Sequence, residues 1–188
     1  YSTVAGSIGS LKGPRHGGAN IKAAEMMDAV LEETGGYDAS DEKIRKAIRK
    51  VADGELYDKT GLIYGFGHAV YTISDPRAEI LYECLKEVAA EKRKEKELDF
   101  YKRFEKEVKA LMKERKGKPL PTNVDFYSGF AYSMLDIPRD LYTPLFVCSR
   151  IVGWVAHNIE NKLYDGRIMR PATKYVGEKV DYVPMENR

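Results

Sequence analysis

Cysteine is scarce in this 188-residue chain, with only Cys84 and Cys148, and no CxxC spacing. A disulfide framework is therefore excluded, and both thiols, set in apolar helix-like patterns, are expected to be buried and reduced, which fits a cytoplasmic address. Histidine is nearly as rare: His16, His68 and His157 stand far apart, with no ligand pair at helical spacing, which argues against a zinc site. An excess of charge of one sign is also missing, because 31 basic against 29 acidic residues leave a net charge of only +2. No general attraction to nucleic acid follows. The longest apolar stretch, residues 143–159, is interrupted by Arg150 and is too short and too broken to span a bilayer. No secretory signal pattern is readable either.

What the chain does have is helical periodicity. Ala23, Met26, Met27, Val30 and Leu31 repeat at i, i+3, i+4, i+7, i+8 until Gly35 and Gly36 stop the pattern. A second helix is expected from about Asp41 to Ala52, with Ile44, Ala47, Ile48 and Val51 on one face and acidic residues in its first turn. Asp75-Pro76 announces a third, an N-cap residue followed by proline at the first helical position, running through Leu81, Cys84, Leu85 and Ala89. From Lys86 to Lys118 charges alternate in sign while Tyr101, Phe104, Val108, Leu111 and Met112 recur at helical intervals, so the charges read as solvated helix faces. A glycine- and proline-containing loop, "GKPLPTNVD", leads into the helical "FYSGFAYSML". A helix from about Leu141 to Asn161 is apolar on most of its circumference and is expected to be central to the protein. At the other end, "YSTVAGSIGSLKGP" reads as an apolar helix already under way at Tyr1, so the chain is expected to be a piece of something longer. Nothing alternates at the period of a sheet, and the fold class is all-α.

Several polar residues stand out against this pattern. His16 lies in the tight turn "GPRHGGAN" just before a helix, where the positive end of the helix dipole favours neutral imidazole. A neutral ring can donate one hydrogen bond to a carbonyl oxygen as charge builds on it during enolisation. His68 follows two closely spaced glycines in "YGFGHAVYTISDPRA", and Arg77, nine residues on, can grip a carboxylate through two parallel bonds or form a surface salt bridge. Arg150 interrupts an apolar run, so an anion must meet it, either an internal carboxylate or a bound one. Asp125 in "TNVDFYSG" reads as a helix cap, or as a base that needs desolvation to act on carbon. His157 and Trp154 read as structural.

Taken in order, "LKGPRHGGAN", "GFGHAVYTISDPRA", "NVDFYSG", "PLFVCSRIVGWVAHNIE" and "RIMRPATKYVG" resemble the successive signatures of the citrate synthase family. The resemblance implies a multi-helical enzyme that condenses acetyl-CoA with oxaloacetate and water to give citrate and free CoA, with no metal or resident cofactor. It also implies a homodimer with a mobile small domain. Carried over by position, His16 resembles the histidine that hydrogen-bonds the thioester carbonyl, Asp125 the carboxylate that removes the methyl proton, and His68 the group that polarises the oxaloacetate ketone. Arg77 and Arg150 match arginines that hold oxaloacetate carboxylates, Arg170 matches one delivered from the partner subunit, and Gly65, Phe66 and Gly67 match the segment lying against the CoA adenine. The family usually has an apolar residue where Arg15 stands and, in several members, a basic residue near Thr72. By the same resemblance, residues 1–16 would end a large-domain helix, 17–127 form the small domain, and 128–188 return to the large domain and a C-terminal arm. Two alternatives stay open: 2-methylcitrate synthase acting on propionyl-CoA, and a non-catalytic helical piece lacking the N-terminal half.

Overall fold

A computed structural model describes residues 1–13, 16–118, 120–164 and 170–188. Among them it has seven α-helices and no strand: α1 (Ser2–Leu11), α2 (Ala19–Thr34), α3 (Asp41–Ala52), α4 (Pro76–Lys92), α5 (Glu95–Lys116), α6 (Val124–Met134) and α7 (Tyr142–Leu163). The all-helical class expected from periodicity is the one observed. Local signals set several of the boundaries. Gly35 closes α2 in the left-handed region at φ 85°, its amide donating to the Leu31 carbonyl. The Ser40 side chain accepts from the Lys43 amide at the start of α3, whose acidic first turn and basic last turn both suit the helix dipole.

Helices α2 to α6 form one packed body, α3 lying against α5 and α6 against both α2 and α4. Its centre is aromatic. The Phe126 ring meets Phe66 at 4.9 Å, Tyr101 at 5.2 Å and Tyr127 at 5.0 Å, and stacks on Phe104 at 5.9 Å. Burying each such ring contributes about 1.5–3 kcal/mol, so this cluster is what ties α5, α6 and the loop at Phe66 together. The boundary expected between residues 127 and 128 falls inside α6, and Phe130 and Met134 beyond it are buried in the same core.

Three expectations are corrected. The charges of α5 are not all solvated, since Glu105 and Glu107 are each only 5% exposed. Burial pushes the Glu105 carboxyl up, but hydrogen bonds from Lys102, Lys109, Thr122 and Tyr127 outweigh it and hold the group down at about 2. Both cysteines are exposed. The buried stripe of α4 runs through Ala78, Leu85 and Ala89, which leaves Cys84 to one side. Cys148 is on α7, and α7 is not central: Tyr142 is its one buried residue, while Val152, Ile159 and Leu163 face outward. A helix that is apolar nearly all round needs neighbours on every side, and here α1 and the turn Arg139–Leu141 supply its main contacts. His157, read as structural, is exposed on that helix beside Glu160.

Candidate active site

The loop carrying His68 is clasped to the start of α6. The Asn123 amide donates to the Gly65 carbonyl at 2.9 Å, the Gly67 amide to the Pro121 carbonyl at 2.7 Å, and the Asn123 side-chain amide to the Gly67 carbonyl at 2.9 Å. Gly65 is required for this approach: it sits at φ 84°, and a Cβ there would lie 2.7 Å from the Phe126 Cβ. His68 and Asp125 thus hang from one short piece of paired backbone. Asn123, not Asp125, caps α6, because its side chain accepts the Asp125 amide at 3.0 Å. Asp125 is thereby left in the first turn with its carboxylate not used for capping.

Each candidate group has a defined setting. The His68 Nδ1 accepts the amides of Val70 at 3.0 Å and Tyr71 at 3.1 Å, an arrangement that places the ring's N–H at Nε2. His16 is held in a turn where the Gly17 amide donates to the Leu11 carbonyl at 3.1 Å, and where any side chain at Gly17 would sit 2.4 Å from that oxygen. Its imidazole meets the Phe146 ring edge-on at 5.4 Å, and the Arg150 guanidinium lies over the same ring at 4.9 Å. Arg150 is half-buried, not enclosed as its apolar neighbours suggested, and has no carboxylate partner among the described residues. Arg77 forms the two parallel bonds expected of a guanidinium, but with Asp75, its own helix cap. Burial pushes the Asp125 carboxyl above its ordinary value and the charge of Asp75 adds to this, while His16, Arg77 and His68 pull it down. A half-buried carboxylate raised in this way is a stronger base than a solvated one.

These groups share one cleft of about 420 Å³, lined by His16, His68, Arg77, Asp125 and Arg150 together with Ala19, Val70, Tyr71, Val124 and Phe146. Five of the residues singled out from sequence therefore converge, from four separate segments of the chain. Among the lining groups two guanidinium groups outnumber the single carboxylate, and the two imidazoles can donate hydrogen bonds, a setting suited to a small anion. The remaining candidates do not line it. The Phe66 ring is committed to the core, Gly65 is buried beneath it, and Gly67 is paired with residue 121. Arg170 is exposed on the irregular arm, and Arg15 lies outside the described residues. Tyr71 and Phe146 were not foreseen, although Phe146 stands one helical turn before Arg150, a spacing legible in the sequence.

Residues 1–172 match the profile described as "Citrate synthase, C-terminal domain". The chain belongs to the citrate synthase family. It is 40% identical, over its whole length, to the citrate synthase of Synechocystis, of which it covers 43%, and 41% identical to the 2-methylcitrate synthase of Shewanella oneidensis, of which it covers 45%. The chain thus spans less than half the length of the curated relatives it matches. Among solved structures it is similar to the citrate synthase of Thermoplasma acidophilum in ternary complex with carboxymethyl coenzyme A and oxaloacetate. That match has a TM-score of 0.68 at 31% identity and covers 96% of this chain and 44% of the other. Among the described residues no helix is long and apolar enough to cross a membrane.

Proposed function

We propose that the cleft condenses acetyl-CoA with oxaloacetate and water to give citrate and free CoA. Asp125 takes a proton from the acetyl methyl group, and His16 donates a hydrogen bond to the thioester oxygen as the enol forms. The His68 Nε2–H polarises the ketone of oxaloacetate, the enol carbon attacks it, and water then cleaves the citryl thioester. Arg77 and Arg150 hold the oxaloacetate carboxylates, with Arg170 delivered across a homodimer interface. The coenzyme lies near Gly65, Phe66 and Gly67, met there by backbone, since the Phe66 side chain is turned inward. Residues 1–16 and 128–188 would belong to a large domain and 17–127 to a small one, the two closing to exclude water, in a cytoplasmic enzyme of the tricarboxylic acid cycle.

The observation that carries this reading is the convergence of His16, His68, Asp125, Arg77 and Arg150 on one cleft. Support also comes from the relative solved with oxaloacetate and a coenzyme A analogue. A second reading, 2-methylcitrate synthesis from propionyl-CoA, is favoured by the 41% identity to the Shewanella enzyme. The test is release of free thiol from acetyl-CoA or propionyl-CoA in the presence of oxaloacetate. It is run on this chain and on a longer version carrying preceding sequence. Oxaloacetate-dependent release that favours acetyl-CoA is expected, and a preference for propionyl-CoA selects the second reading. No release from either version would leave a helical binding module without turnover.

A further inference from the structure

Asp75 lies outside the cleft, yet it is bonded to two elements that line it. It is 1% exposed, and its carboxylate accepts four N–H donors. Oδ1 takes the Arg77 amide and Nε, both at 3.0 Å, and Oδ2 takes the Arg77 Nη2 at 2.9 Å and the Val124 amide at 3.1 Å. The last bond joins residues 49 positions apart, fastening the first turn of α6 to the N-cap of α4. Arg77 and Asp125, the groups of opposite charge that those helix starts present to the cleft, are therefore held by one carboxylate.

A guanidinium has two edges that can each meet a carboxylate in parallel. Asp75 occupies the Nε/Nη2 edge, which leaves Nη1 and the second Nη2 hydrogen for another anion, and Arg77 lines the cleft. The Tyr71 ring lies 5.3 Å from the same guanidinium and limits its swing on that side. We propose that Asp75 is a positioning residue, which locks one edge of Arg77 so that the other edge meets a carboxylate of the bound dianion, and which fixes the distance between Arg77 and Asp125. The proposal rests on the reading of the cleft as an oxaloacetate site. An arginine without this anchor would have to order its long side chain on every binding event, which weakens binding of the dianion more than binding of the thioester.

The test compares the parent chain with Asp75→Asn and Asp75→Ser, the serine retaining a cap for α4 while removing the charge. Oxaloacetate and acetyl-CoA affinities are measured separately by calorimetry, beside thermal melting. In folded variants the oxaloacetate Kd is expected to rise about tenfold or more, while acetyl-CoA affinity stays within about twofold. Unchanged oxaloacetate affinity, or a parallel loss of both affinities that tracks melting, overturns the proposal. If the parent binds oxaloacetate but releases no CoA, the proposed reaction fails and the positioning role still stands. If the parent does not bind oxaloacetate at all, both fail. Should both variants unfold, Asp75→Glu replaces them: it keeps the charge but sets the carboxylate one methylene further out, off the Arg77 edge and the Val124 amide, and the same selective loss of oxaloacetate affinity is expected. Its unchanged oxaloacetate affinity would equally overturn the proposal.

Discussion

Asp125 carries a conflict between stability and chemistry that belongs to the single residue. Its carboxyl is raised by burial, so the folded chain takes up this proton more readily than the unfolded one. The stabilisation this represents is present in acid, below the unfolded value of about 3.9, and is lost as the pH rises through the folded value. Asp125→Asn, which cannot ionise, is therefore expected to melt above the parent at neutral pH and to converge with it near pH ~3. The same substitution removes the proposed base, and oxaloacetate-dependent CoA release should fall by about 100-fold or more. Paired melts at the two pH values beside a thiol assay check both halves. A variant that melts lower at neutral pH would show that Asp125 is structural.

At the scale of elements, the deciding contact is the clasp between the loop at residues 65–67 and the segment at 121–123. It sets the spacing of His68 from Asp125 without involving either side chain. Gly65→Ala puts a Cβ against the α6 backbone, 2.9 Å from the Phe126 Cα, at a φ of 84° that alanine adopts poorly. The expected cost is about 2 kcal/mol or more in urea unfolding, because both clash and backbone strain act there. In whatever fraction stays folded, the loop must lift from α6, so turnover should fall further than the loss of folded protein explains. Arg103 does similar work elsewhere, its guanidinium donating to the carbonyls of Ala39 at 2.6 Å and Tyr37 at 3.0 Å and so joining the turn after α2 to α5.

For the molecule as a whole, α2 to α6 share one continuous core, and α1 with α7 stands against it through few anchors. The Thr143 hydroxyl donates to the Gly17 carbonyl at 2.7 Å and the buried Tyr142 hydroxyl to that of Gly129 at 3.3 Å. Val152 on α7 is 73% exposed and Ile159 52%. Backbone hydrogen bonds under so little cover open locally without global unfolding. In this chain by itself, amides of α1 and α7 are expected to exchange with deuterium well before those of α5 and α6. Equal protection, followed by mass spectrometry, would mean that the α1–α7 pair is covered. The cleft straddles the two parts: Asp125, Arg77 and His68 belong to the core body, Arg150 and Phe146 to α7, and His16 to the turn leading from α1 into α2. Relative movement of the two parts would therefore change the site directly.

The helices are legible in the amino-acid order alone, because caps, dipole-matched charges and apolar spacing act within a few residues. Asp75-Pro76, Ser40 and Gly35 each stop or start a helix through their own side chain or backbone freedom. The same order marks the groups of the cleft, since a charge in an apolar run or a histidine beside glycines is conspicuous without coordinates. How those groups meet is a matter of packing. That Asp75 also takes the Val124 amide, that Phe146 stands against His16, and that Phe66 turns inward depend on segments far apart in the chain, which no local pattern encodes. The misplaced burial of α7, of Cys84 and of Glu105 has the same origin. Periodicity shows which face of a helix is apolar, but whether another element arrives to cover that face, or to neutralise a buried charge, is settled by packing.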